Sequence, residues 1–436
     1  MICSGDLKMG TNIRKKAKAI AWLLTLVYFA SYLTRKNFNV MISAVSSGMV
    51  SSGAFSNVDA ANTMLAIVSG ALTVAYGVGQ IVNGILGDKI KPQLMITAGL
   101  TIASAANVAM YFCPDNYIAM SIIWCINGFA HSMLWPPIVR LMATYLNSDE
   151  YGYSSVRVSW GSSIATIVLY FGCGALTSVI AWREVLLICA GCGVMLLAVW
   201  MFFNKKLFTD SMAQMDVKKD ATEKKKYPLP LFVFIPVALI MIGIILQGSI
   251  RDGVETWTPT ILQGENEALG GSVAIILTVV PAIFSMISFS VFDILHRKLF
   301  RNEVTCAAVI FLGATFFAFC VYLTNLFVNN DSVETVLYLI FISLLTGCMH
   351  GINLMLITVV PKYFLKSGKV STFSGILNAC TYAGSAVGVW LFAQISVSGS
   401  WGESMIAWII ISALGAVACF AAVPLWKKFR RIYSDN

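Results

Sequence analysis

The chain has 436 residues, 58% of them hydrophobic and only 12% charged, with a mean hydropathy of +0.78 and a formal net charge of +9. Soluble domains carry roughly a quarter charged residues, so this composition excludes an ordinary soluble protein and points to an integral membrane protein.

A helix that crosses a bilayer needs about 20 apolar residues. Twelve such stretches follow in chain order: 19–46, 62–87, 92–112, 117–146, 152–180, 185–203, 229–262, 270–295, 302–328, 334–361, 369–397 and 402–425. The longest polar stretch, Asn204 to Tyr227, holds seven lysines and four acids and ends at Pro228. It divides the chain into a bundle of six helices over 1–203, a cytoplasmic linker over 204–228 and a second bundle over 229–436. The fold expected is all-α, with twelve transmembrane helices in two pseudo-symmetric bundles.

The basic residues orient the chain. Of the 30 lysines and arginines, five lie within spans (Arg35, Lys36, Arg140, Arg157, Arg251), and Arg183 is alone on the outer side. The rest fall in the two termini and the even-to-odd loops, which places both termini in the cytoplasm. Acids such as Asp59, Asp115, Glu184, Glu265, Glu267, Asp331, Glu334 and Glu403 occupy the outer loops. The positive charge is thus a topology signal, and no nucleic-acid partner is implied. The partner medium is the lipid bilayer. No cleavable signal peptide is visible.

The eleven cysteines lie almost entirely in apolar spans without a disulfide-framework spacing. Cys189 and Cys192 form a C-x-x-C, with neither histidine nor acid near them in sequence. No metal and no cofactor is expected. Nor does a nucleophile with a base or a phosphate-cradling glycine loop occur, so no enzyme is expected.

Two spans carry arginine well past their starts. Arg35 is followed by Lys36 and Asn37, and Arg251 by Asp252 and Gly253. A charged side chain at mid-depth costs about 2.5–3.5 kcal/mol on insertion scales and faces a protein interior or a watery cavity. Parallel repeats of this kind place a substrate site between the halves near the bilayer midplane, with Arg35 and Arg251 the candidates to face each other. A guanidinium is a planar fork of donors that matches phosphate or carboxylate oxygens and stays protonated. One fork from each half would hold one dianion.

Polar residues at helical spacing sit near these positions: Tyr28, Ser31, Tyr32, Arg35 and Asn39 on the first span; Thr73, Tyr76, Gln80 and Asn83 on the second; Ser155, Ser159, Ser162 and Thr166 on the fifth; Ser374, Asn378, Tyr382 and Ser385 on the eleventh. Each stripe serves either helix-to-helix hydrogen bonding or a water-filled pathway. Their company with two arginines favours the pathway. Plainer roles stand beside these. Arg251 has Asp252 next to it and Glu255 four residues on, a possible structural pair. Arg140 and Arg157 lie toward the cytoplasmic ends, where snorkelling or a tie to Asp88, Asp149 or Glu150 is expected. His350 is a candidate for substrate or proton duty, and His131 a lesser one; Trp135, Trp160 and Trp257 serve packing as readily as a ligand wall.

Several motifs are specific. The run Tyr32-Leu33-Thr34-Arg35-Lys36-Asn37-Phe38, the segment Gly84-x-x-x-Asp88-Lys89, Asn127-Gly128 followed by Trp135-Pro136-Pro137 and Arg140, and Arg251-Asp252-Gly253 followed by Trp257-Thr258-Pro259 resemble the organophosphate:phosphate antiporters. That branch of the major facilitator superfamily includes bacterial glycerol-3-phosphate and hexose-6-phosphate transporters. Val360-Pro361-Lys362 and Phe373-Ser374-Gly375 extend the match to the eleventh span. The resemblance implies a rocker-switch exchanger in a bacterial inner membrane, with Arg35 and Arg251 on the phosphate moiety and Tyr32, Lys36 and Tyr76 lining the cavity. Departures fall at Gln80, where the glycerol phosphate carrier has lysine, at Gly161, near its fifth-span histidine, and at Arg157, where an aromatic is expected.

The expectation is exchange of an organic phosphate (sugar phosphate, glycerol phosphate or phosphonate) for inorganic phosphate. Two bare arginines would resist closure and a bound dianion would relieve them, so exchange would be obligatory. One chain with a central pathway permits a monomer. Two alternatives stay open: a proton-driven carboxylate carrier using Asp252, Glu255 or His350, and a transporter-like membrane sensor of organic phosphate.

Overall fold

A computed structural model describes residues 3–222, 228–265, 277–396 and 401–434. Among the described residues no strand occurs. The helices are α1 (Cys3–Val40), α2 (Ile42–Ser51), α3 (Val58–Gly87), α4 (Pro92–Phe112), α5 (Tyr117–Ser132), α6 (Trp135–Tyr145), α7 (Ser148–Leu176) and α8 (Trp182–Thr222), then α9 (Phe234–Glu265), α10 (Val279–Lys298), α11 (Glu303–Phe327), α12 (Asp331–Asn353), α13 (Val370–Ser396) and α14 (Trp401–Ser434). They supply 12 stretches long and apolar enough to cross a membrane, α5 with α6 making the fourth. The all-α, twelve-span architecture read from the sequence is the observed one.

Asparagine marks where many of these helices begin. Asn57, Asn116, Asn302 and Asn330 each accept backbone N–H groups of the first turns of α3, α5, α11 and α12. Asn147 and Glu150 form a reciprocal capping box on α7. The boundaries differ from the sequence expectation where the backbone is irregular. The first span stops at Val40: the Met41 N–H is shared between the Asn37 and Phe38 carbonyls, 3.1 and 3.2 Å away, and α2 then begins. The tenth span runs on past α12 through a π turn (Leu354–Val359) into a 3₁₀ turn (Val360–Phe364). Pro361 has no N–H to continue an α-helical ladder. Helix α8 continues to Thr222, so much of the 204–228 stretch is helical. The start of the expected eighth span, before residue 277, lies outside the described residues.

By contacts the chain divides into two units, Met1–Pro228 with Phe364–Gly375, and Leu229–Tyr363 with Ile376–Asn436. In the first, α1 packs on α7, α3 on α5 and α4 on α8. Phe364–Gly375 joins this unit through Asp88, whose carboxylate accepts the N–H groups of Ser371 and Thr372 at 2.8 and 3.0 Å. The acid of Gly84-x-x-x-Asp88 therefore caps the start of α13, where the helix dipole is positive. In the second unit, α11 packs on α14 and α12, and α9 on α14 and α12.

Lipid offers no hydrophobic drive for helix association, so close approach over small residues has to supply packing. A Cβ on Gly161 would meet the Thr25 carbonyl of α1, and one on Gly128 the Leu72 carbonyl of α3. In the second unit Gly384 and Gly388 of α13 face the Ile245 and Ser249 carbonyls of α9. Overpacking costs about 1–3 kcal/mol per site. Gly384→Leu and Gly388→Leu are therefore expected to lower the melting temperature of the purified protein in detergent. Gly191→Leu, on a position that meets nothing within 4 Å, is expected to leave it unchanged.

Candidate functional site

The turn of α1 that carries Arg35 is pinned by asparagines. Asn107 of α4 and Asn127 of α5 both donate to the Thr34 carbonyl, at 2.8 and 3.1 Å, and Asn37 donates to Asn107 Oδ1 at 2.7 Å. His131 of α5 lies against Ser31 and Thr34 through its two ring nitrogens, at 3.1 and 3.4 Å. These residues hold α1 to its neighbours; His131 is spent on packing.

Held this way, Arg35 is buried, with its Cζ 4.4 Å from the Tyr32 ring centroid and 4.6 Å from that of Tyr76 on α3. Two aromatic faces from two helices thus fix one guanidinium, an attraction of about 2 kcal/mol per face when desolvated. Lys36 Nζ lies 5.5 Å from the centroid of the same Tyr32 ring. Tyr28 extends the aromatic surface, 5.1 Å from Tyr32 and 4.9 Å from Trp135. Gln80, one turn beyond Tyr76, is fully buried, and neither of its amide atoms has a hydrogen-bond partner among the described residues.

Other expected candidates in this unit have structural duties. Ser155, Ser162 and Thr166 of the fifth-span stripe each donate to a carbonyl of their own helix. Asn83 donates to Ser132 of α5. Arg140 donates to the Gly87 and Ile90 carbonyls, tying α6 to the end of α3; its partners are backbone groups, where a carboxylate or snorkelling was expected. Arg157 stacks between Tyr153 and Trp160, at 4.0 and 4.5 Å.

The second unit treats its arginine differently. Arg251 of α9 donates from Nε and Nη2 to the two oxygens of Asp252, at 2.6 and 2.8 Å, a bidentate pair. The Ser385 hydroxyl of α13 donates to Asp252 Oδ2. Glu255, one turn on from Arg251, meets His350 Nε2 of α12 at 2.8 Å, and Phe289 stands edge-on to the imidazole at 5.6 Å. Asn378 and Tyr382 share with Ser385 one face of α13. Of the two acids that the sequence offers as partners for Arg251, Asp252 takes the guanidinium and Glu255 takes the histidine. The hold of Ser385 on Asp252 was not foreseen, and nothing local to Ser385 signals it.

A family model described as the Major Facilitator Superfamily matches residues 24–389. The chain belongs to that superfamily. Among curated relatives, the glycerol-3-phosphate transporter of Bacillus subtilis (strain 168) is 23% identical over 418 residues, covering 88% of each chain. A probable hexose phosphate transport protein of Chlamydia pneumoniae is 22% identical over 193 residues, 42% of this chain and 40% of that one. The membrane sensor protein UhpC of Escherichia coli (strain K12) is 22% identical over 176 residues, 40% of this chain and 38% of that one. These names bear out the resemblance to the organophosphate:phosphate antiporters. The solved structure of the proton:xylose symporter XylE bound to 6-bromo-6-deoxy-D-glucose shares the fold, with a TM-score of 0.71 at 13% identity, over 95% of this chain and 96% of that one.

The pair His350–Glu255 can be tested apart from any transport. A hydrogen bond to a charged group contributes about 1.5–3 kcal/mol, and the partial exposure of this pair puts it toward the lower end. His350→Phe is expected to lower the melting temperature in detergent, with His350→Gln, which still offers an N–H donor, recovering most of the loss.

Proposed function

We propose that this major facilitator protein carries an organic phosphate (a sugar phosphate, glycerol phosphate or phosphonate) across the membrane in exchange for inorganic phosphate, by rocker-switch alternating access. The observation that carries the reading is the setting of Arg35. Its Cζ lies over the rings of both Tyr32 and Tyr76, and a guanidinium is a planar fork of donors, the geometry that meets phosphate oxygens bidentately. The names of the relatives supply the substrate class, and the second unit supplies a counterpart in Arg251.

In this reading Arg35 and Arg251 bind the phosphate moiety, and Lys36, Tyr32, Tyr76, Gln80, His350, Asn378 and Tyr382 line the path. The orphaned amide of Gln80 suits a polar ligand group, because a buried polar atom left without a partner costs about 1–3 kcal/mol. The carrier works as a monomer, in a bacterial inner membrane with both termini in the cytoplasm.

The test is uptake of radiolabelled inorganic phosphate by proteoliposomes that are empty or preloaded with phosphate. Preloading is expected to drive uptake. Arg35→Ala and Arg251→Ala are each expected to reduce it about 100-fold, the equivalent of losing a bidentate charge-assisted contact. Arg35→Lys is expected to recover little, since a point charge does not replace a fork. If a correctly folded protein in sealed vesicles binds phosphate without moving it, the sensor reading takes over. If it neither binds nor moves phosphate but accumulates a carboxylate along a pH gradient, the proton-coupled carrier does.

A further inference from the structure

We infer that Asp252 is an internal stand-in for the substrate phosphate: in the empty carrier it occupies the fork of Arg251, and it thereby lets the empty carrier cross, so that exchange is not obligatory. This inference rests on the proposed phosphate-carrying function and adds to it a residue that sets the coupling.

The argument starts from the geometry. Asp252 presents both carboxylate oxygens to Nε and Nη2 of Arg251, at 2.6 and 2.8 Å. That is the two-point contact by which a guanidinium would take two phosphate oxygens, so ligand and carboxylate compete for the same donors. The pair is largely withdrawn from water, with side-chain exposures of 12% for Arg251 and 26% for Asp252. A guanidinium in such a setting is costly without an anion. Asp252 supplies that anion in this structure.

Ser385 gives the carboxylate a second place to rest. Its hydroxyl lies within reach of Asp252 Oδ2 and of the Thr381 carbonyl, at 2.9 Å in the latter case. One proton serves these acceptors in alternation. When a phosphate takes the fork, Asp252 keeps a hydrogen bond to Ser385 and is not left bare; when the phosphate leaves, the acid returns to Arg251. The empty state then carries no uncompensated charge at this arginine, and the electrostatic reason for reorienting only when loaded is weakened. The cost falls on affinity, because every incoming anion displaces one already bound.

Two fluxes from proteoliposomes loaded with radiolabelled phosphate separate the possibilities: exchange, on dilution into phosphate buffer, and net efflux, on dilution into phosphate-free buffer with the membrane potential clamped. Phosphate binding to the detergent-purified full chain is measured alongside by calorimetry. For the wild type, net efflux is expected within about tenfold of exchange. Asp252→Asn keeps the shape and removes the charge. It is expected to tighten phosphate binding about three- to tenfold, the equivalent of one partly exposed competing contact, and to depress net efflux relative to exchange by a similar factor. Asp252→Glu is expected to restore part of the efflux. Should Asp252→Asn fail to fold, Ser385→Ala, which alters the hold on the acid and leaves the acid in place, must change the ratio of efflux to exchange. Robust wild-type exchange without measurable net efflux overturns the inference, as does an unchanged ratio in a folded variant. A wild type that neither binds nor exchanges phosphate overturns the proposed function, and this inference with it.

Discussion

A charge placed in a membrane span has to be matched by protein groups around it, and much of the polar architecture of this chain follows from that constraint. Glu303, fully buried at the start of α11, receives Tyr363, Trp426 and Arg430. Asp293 pairs with Arg297 one turn away at 2.5 Å. Arg183, at the start of α8, meets Asp115 at 2.6 Å. Each of these has a fixed partner and a structural account. The two arginines singled out for phosphate are matched too, but by different means: Arg35 lies against the faces of Tyr32 and Tyr76, and Arg251 lies in the fork of Asp252.

The helices that carry these groups are held by the same economy. With lipid as solvent, apolar burial does little to choose between helix pairings, and the first unit relies on asparagine instead. Thr34 offers one carbonyl, and Asn107 and Asn127 of two other helices donate to it. The bond placed immediately before Arg35 in the chain is thereby tied to α4 and α5. Arg35 is positioned by backbone anchoring next to it, and its Cζ lies over two aromatic rings. In the second unit Gly384 and Gly388 bring α13 against α9 backbone to backbone. That approach sets Ser385, the residue after Gly384, beside the acid that follows Arg251.

The span count and helical class were legible in the sequence because they depend on a local quantity, the runs of apolar residues. The position of Arg35 inside an apolar span was legible as well; Tyr32 and Tyr76 enter beside it through the family resemblance, and both rings lie near its guanidinium. Less legible was what depends on two elements meeting. The serines of α7 read as a polar stripe, yet Ser155, Ser162 and Thr166 turn back to their own carbonyls, a choice that helical spacing does not encode. Arg140 had three acids available in the sequence and took backbone carbonyls at Gly87 and Ile90. Asp252 and Glu255 were equal candidates for Arg251 until α12 brought His350 to Glu255. The break at Met41 likewise reflects a shared backbone hydrogen bond that no breaker residue announces.

The contrast between the two arginine settings bears on coupling. A π face attracts a cation without cancelling its charge, so the guanidinium still exerts its full field on an approaching anion. A carboxylate cancels the charge and occupies the donors. A carrier whose sites were all of the first kind would change state most readily when loaded, because only the ligand could remove the charge. One whose sites were all of the second kind would change state readily when empty, but would hold its ligand weakly. On the proposed reading, a chain that combines the two keeps an attractive site at Arg35 and a self-compensated one at Arg251. The tightness of coupling then becomes a matter of how strongly one acid competes with phosphate, a difference in affinity between two states. That quantity changes with a single side chain and leaves the fold intact.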